Sequence, residues 1–199
     1  MTPKIDFEYS WVYDDNWKKC IRIYEKKKEP YPSYSKIISY IAKVEKLWRI
    51  NEKKILNELS RVSGLKWKSK AIKCYVVGRC IPFSDPLTMP VYLKHPDFFI
   101  DMLIHELIHQ LFTQKGNSEK SKKAWDYVYG KYKKQSITTK IHIPLHAIHS
   151  HIYLKFFNKK RLEDDIASFK SLPDYRKSWE IVQKEGYENI IREFKKRVG

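Results

Sequence analysis

The sequence predicts an α+β fold: a mostly helical single domain with a small sheet, whose edge strand precedes a buried metal-binding helix. Three observations predict it. Apolar residues recur at steps of three, four or seven, as in Ile37, Ile41, Val44, Trp48, Ile55, Leu59 and Val62, which is helical spacing. Two short runs read as strands, Ile72-Lys73-Cys74-Tyr75-Val76-Val77 and Met89-Pro90-Val91-Tyr92-Leu93-Lys94. Residues 105–109 read His105-Glu106-Leu107-Ile108-His109 inside an apolar segment. At 199 residues the chain suffices for one domain with a sizeable core, and 42% hydrophobic content belongs to a globular chain rather than a disordered one.

The elements follow in order. Residues 1–33 mix aromatics and charges, with Trp11, Tyr13, Trp17, Ile21 and Ile23 as packing anchors, and Pro30-Tyr31-Pro32-Ser33 breaks the chain. Residues 34–64 form one long amphipathic helix, stopped by Gly64. Residues 71–94 hold the strands, with Pro82-Phe83-Ser84-Asp85-Pro86 as a loop. Pro90 has no N–H to give a central ladder, so the strand of residues 89–94 belongs at an edge, where it could hold an extended peptide by strand addition. Residues 97–115 are the metal helix, ended by Gly116, and a further helix covers 118–135. Residues 140–158 are a third helix, with Pro144 in its first turn. Residues 161–199 are a helical tail that includes a helix start at Pro173-Asp174 and a break between two short helices at Gly186. There is no internal repeat and no low-complexity linker.

The chemistry is carried by residues 105–109. On a helix, positions i and i+4 share a face, so His105 and His109 can grip one metal ion while Glu106 holds the water to be activated. The segment around them is apolar on nearly every side, and two histidines and a glutamate buried there need partners. A catalytic zinc takes three protein ligands and leaves one position open. Four of the seven histidines, His142, His146, His149 and His151, fall within ten residues downstream, the first three at i, i+4 and i+7. His146 is favoured as third ligand because a helix interior holds a ligand more rigidly than a cap. His142, His149 and the carboxylates Glu119 and Glu163 are the alternatives, and His151 points elsewhere, to the surface. His142, where it is not the ligand, or a tyrosine such as Tyr153, would donate to the developing oxyanion.

By His105-Glu106-Leu107-Ile108-His109 and the strand–strand–helix order leading to it, the chain resembles the zincin metallopeptidases over roughly residues 72–154. The resemblance implies one zinc ion per chain on His105 and His109, with Glu106 as general base in peptide hydrolysis. The metzincin branch matches poorly, because its extended motif wants Gly and His where this chain has Phe112 and Lys115. The order is closer to the gluzincin branch, but His142 and His146 stand at the spacing where that branch carries carboxylates.

Composition frames two competing readings. A formal charge of +17 suits a nucleic-acid-associated protein, either non-catalytic or a protease acting on DNA-bound proteins, with aromatics such as Trp67 between Lys66 and Lys68, although the lysines are scattered. A structural zinc, with His142 and His146 both joining the motif pair, is the other reading. Three cysteines without a C-x-x-C pair imply no disulfide framework and a reducing compartment. The opening residues lack the apolar run of a signal peptide, and no stretch approaches a membrane span. A cytoplasmic protein without membrane contact is the resulting expectation.

Overall fold

The structure is a computed structural model and describes residues 1–24, 30–92 and 95–199, the side chains of residues 22–24 excepted. Its elements are β1 (Lys4–Glu8), α1 (Trp11–Tyr24), α2 (Tyr34–Arg49), α3 (Glu52–Ser63), β2 (Ala71–Val77), β3 (Phe83–Ser84), β4 (Leu87–Pro90), α4 (Pro96–Thr113), α5 (Asn117–Lys120), α6 (Lys122–Lys131), α7 (Ile137–Phe156), α8 (Lys159–Ser168), α9 (Pro173–Glu185) and α10 (Tyr187–Lys195). This is an α+β protein with a small mixed sheet. Its packing divides it into two compact units, each drawn from separated stretches of sequence. One comprises Thr2–Lys53 and Ser69–Gln110; the other comprises Met1, Lys54–Lys68 and Leu111–Gly199.

The first unit holds the sheet, in the order β1-β2-β4-β3. β1 and β2 are parallel with Ile5 opposite Ile72, and β2 and β4 are parallel with Val76 opposite Met89. β3 returns antiparallel on β4, Ser84 opposite Leu87, so residues 82–86 contribute a strand as well as a turn. The strand of residues 89–94 therefore begins earlier, at Leu87, and is not at the edge: β4 lies between β2 and β3. Leu93 and Lys94 lie outside the described residues. Pro90 is tolerated because Val91 N–H bonds the Val77 carbonyl, so the Pro90 nitrogen points the opposite way, beyond the reach of the two-residue β3.

β1, which the sequence does not announce, has its outer edge covered by side chains. Ile5 N–H donates to Glu52 Oε1 at 2.8 Å, and Arg49 Nη2 donates to the Ile5 carbonyl at 2.8 Å. Arg49 and Glu52 stand on either side of Ile50-Asn51, where the expected single helix of residues 34–64 divides into α2 and α3. The apolar pattern runs through this break because the seven-residue step from Trp48 to Ile55 keeps phase in either case. In α1 the buried Asp14 accepts Gly78 N–H at 2.7 Å and the Tyr31 hydroxyl at 2.6 Å, fixing residues 78–80 at the end of β2. A Cβ on Gly78 would meet the Tyr31 ring at 2.4 Å, so only glycine fits. Tyr13 and Trp17 pack with each other and with Tyr75 and Phe83, and Ile21 is half-buried. Trp11, expected as an anchor, is 71% exposed, and the Ile23 side chain lies outside the described residues.

The second unit is helical. Gly64 at φ 76° turns the chain out of α3, as its position implies. Trp67 is buried, with Nε1 donating to the Leu56 carbonyl at 2.8 Å; it is a core residue and offers no stacking surface for a base. Ser136 caps α7 by accepting Thr139 N–H at 3.0 Å, which starts the helix earlier than expected and leaves Pro144 in its interior. α7 is buried almost continuously from His142 to Ser150 and packs on α9 and α10. Pro173 opens α9, and Gly186 at φ 81° separates it from α10, both as expected. The cysteines are free thiols, and no described helix is long and apolar enough to cross a membrane.

Glu58 of α3 is a buried carboxylate held by two cations, Arg61 at 2.5 Å and Lys155 at 2.8 Å, and by His151 Nε2 at 2.6 Å. His151 is thus a half-buried partner of Glu58 rather than a free surface residue. The Arg61 hydrogen bonds, aided by Lys155 and His151 and opposed by burial, hold the Glu58 carboxyl far below the usual range. A carboxyl depressed in the folded state stabilises it above its unfolded pKa, about 4.3, and loses that contribution as pH falls through the folded value. Glu58→Gln should therefore cost about 1 to 3 kcal/mol at pH 7, and urea titrations should show the gap to wild type narrowing below about pH 4. A gap independent of pH would contradict the charge-based account.

Candidate metal centre

α4 supplies the first residues of the site. Pro96 occupies the first helical position, Asp97 lies in the first turn, and Gly116 at φ 79° follows the helix end. From Phe99 to Ile108 every residue is buried, in keeping with the apolar sequence. His105 and His109 stand one turn apart with ring centroids 5.1 Å from each other, His105 buried and His109 half-buried. Glu106 is 6% exposed, and its burial pushes the carboxyl up to about 7. Within the same unit, Cys80 and Tyr92 lie within electrostatic reach of Glu106. Burial foremost, then Glu106 and Asp14, push the Cys80 thiol up, and burial, then Cys80, Tyr40 and Glu106, push the Tyr92 hydroxyl up. Neither residue carries a signal in the sequence, because the sheet brings them there. Gln110, one turn past Glu106, donates from Nε2 to the Ser84 carbonyl at 2.9 Å and ties α4 to β3.

α7 supplies the third member. His105, His109 and His142 each offer a ring nitrogen, and these atoms lie within 4.8 Å of one another, a group able to hold a metal ion. His142 Nδ1–H donates to the Thr138 carbonyl at 2.8 Å, which orients the ring and leaves Nε2 as the lone-pair nitrogen. Burial lowers the His142 pKa, against the opposing Thr138 hydrogen bond and the Asp174 charge. A neutral imidazole is the form a metal requires. The donor set fits a borderline-soft ion such as zinc, which accepts imidazole readily.

This group differs from the favoured one at its third position. His146, the favoured third ligand, is not in it; His142, expected as an alternative ligand or else as an oxyanion donor, is. The reason lies in the start of α7. With Ser136 rather than a later residue as cap, His142 is inside the helix, where the Thr138 carbonyl one turn back can hold it. His146 has other partners: its ring stacks on Trp179 at 4.0 Å and 5°, and its Nδ1 shares a 2.7 Å hydrogen bond with Ser178 Oγ. His149 lies 4.0 Å from the buried carboxylate of Asp165 and 4.6 Å, ring to ring, from Tyr153. The acidic alternatives Glu119 and Glu163 are exposed. Thr138, Ser178 and Trp179 were not legible as site residues, since a backbone carbonyl and a stacking partner from another helix leave no local pattern.

Comparison of the chain with protein-family models, with curated proteins and with solved structures finds no match.

Single alanine substitutions separate these roles. Elemental analysis after zinc loading should find the metal lost in His105→Ala, His109→Ala and His142→Ala. His146→Ala should keep its metal but melt at a lower temperature, losing a stacked ring and a buried hydrogen bond worth about 1 to 3 kcal/mol together. Metal lost in His146→Ala and retained in His142→Ala would reverse the assignment.

Proposed function

We propose that this protein is a zinc-dependent peptidase of the zincin type, with His105, His109 and His142 holding the metal and Glu106 as general base. One observation carries the reading: a buried carboxylate adjoins a histidine pair at i and i+4, and a third histidine nitrogen lies within 4.8 Å of that pair. Zinc bound there would lower the pKa of a water toward neutrality and polarise the scissile carbonyl. Glu106 takes the proton of the attacking water and passes it to the leaving amine. Its burial excludes competing solvent and strengthens its interaction with the developing charges. Thr138 engages His142 Nδ1, so Nε2 is the nitrogen that would be offered to a metal.

A structural zinc would ask for a fourth protein ligand. Among the described residues the group numbers three, which favours the catalytic reading. The substrate would be a peptide or protein in extended form. β3 is an edge strand of the sheet, tied to α4 through Gln110, and it replaces residues 89–94 as the segment that such a substrate could extend.

Glu106→Gln tests the proposal. Zinc-loaded wild type should cleave an unstructured protein such as casein, and the variant should lose about 10²- to 10⁴-fold in rate while keeping its zinc and its melting temperature. Equal rates in the two proteins, or no cleavage by a zinc-loaded wild type across a panel of unstructured substrates, would overturn it.

A further inference from the structure

We propose that the lysine-rich face of α6, together with the neighbouring end of α10, is a binding surface for single-stranded nucleic acid. Along the sequence the basic residues are dispersed; folding gathers a subset of them. Between residues 117 and 134 stand six lysines (Lys120, Lys122, Lys123, Lys131, Lys133 and Lys134) against two acids, Glu119 and Asp126. α6 turns Ala124 and Val128 inward and leaves Lys122, Lys123, Lys133 and Lys134 exposed at its two ends. The end of α10 lies alongside: Gly199 N–H bonds the Lys120 carbonyl at 3.0 Å, and the Arg197 guanidinium sits 3.7 Å from the Tyr127 ring centre. That brings the exposed Lys195 and Lys196 to the same surface.

Two further observations distinguish this face from an ordinary solvated one. The nearby acids Glu185 and Glu193 are already paired, with Lys131 at 2.6 Å and Arg197 at 2.9 Å, and against Glu119 and Asp126 the four exposed lysines stand in excess. Aromatic rings are interleaved with the cations and held in place. Trp125 meets Phe112 edge-on at 5.1 Å and Phe194 at 5.2 Å, Tyr129 lies 6.0 Å from Trp125, and Tyr129 is 39% exposed with Lys140 over its ring. Lysines at both ends of a ten-residue helix, about 15 Å apart, can meet a phosphate backbone while a ring midway takes a base face. An anionic membrane would be met by an exposed apolar stripe among the lysines, and here the aliphatic residues of α6 are buried. Splayed bases, rather than a stacked duplex, are what an exposed tyrosine can receive.

The test is fluorescence anisotropy of a labelled oligothymidine with full-length protein over a salt series. Lys122, Lys123, Lys133 and Lys134 are changed together to Glu, and in a second variant to Gln. A control carries the same charge reversal at the exposed Lys36, Lys43, Lys46 and Lys53. Both α6 variants should weaken binding at least tenfold and flatten the log–log salt slope by about 0.7 for each phosphate no longer neutralised. The control should change affinity less than threefold, and Tyr129→Ala should weaken binding without altering the slope. Equal losses in the α6 variants and the control would overturn the proposal, leaving net charge as the cause. So would tighter binding to phosphatidylserine vesicles or to duplex DNA than to the oligonucleotide, or no binding by wild type near 150 mM salt.

Discussion

Burying a carboxylate and an imidazole within one turn of an apolar helix is costly unless something nearby takes up their charge and lone pairs. α4 does this with Glu106 and His105, and much of the rest of the structure can be understood from the consequence. The desolvation that pushes the Glu106 carboxyl up to about 7 would be reversed by a cation, which favours the ionised form. A third imidazole whose Nδ1 is already committed to a backbone carbonyl supplies the remaining donor. His105, His109 and His142 thus form a group able to hold a metal ion.

Within each unit, hydrogen bonds from side chains to backbone groups fix the elements that carry these residues. Asp14 fixes Gly78 and Tyr31, and with them the segment that carries Cys80 beside Glu106. Arg49 and Glu52 close the free edge of β1, leaving β3 at the other end of the sheet order. On α7, Ser136 sets the start of the helix, which decides the surroundings of every histidine on it. Each is a charged or hydroxyl group satisfying backbone polarity, the kind of interaction whose removal leaves an orphaned buried group.

The sequence made the α4 site legible because two independent signals coincide in five residues: ligand types at i and i+4, and an apolar helix that gives them no other solvent. The α+β class, the glycines at 64, 116 and 186 and the start of α9 at Pro173 were readable for similarly local reasons. Elsewhere a non-local partner decided the outcome. Pro144 suggests a helix start until Ser136 is seen to cap the helix two turns earlier. Pro90 suggests an edge until β3 proves to be two residues long. Trp67 suggests a stacking surface until its indole is found bonded to Leu56. The choice between His142 and His146 depends on Thr138, Ser178 and Trp179, whose roles appear only when the helices are packed.

The most direct measurement of the central claim is the zinc X-ray absorption spectrum of the loaded protein. Three nitrogen scatterers at about 2.0 to 2.1 Å with one oxygen completing a four-coordinate shell is the expected result, and His146→Ala should leave the spectrum unchanged. A shell of four nitrogens, or a folded protein that takes up no zinc, would contradict the account.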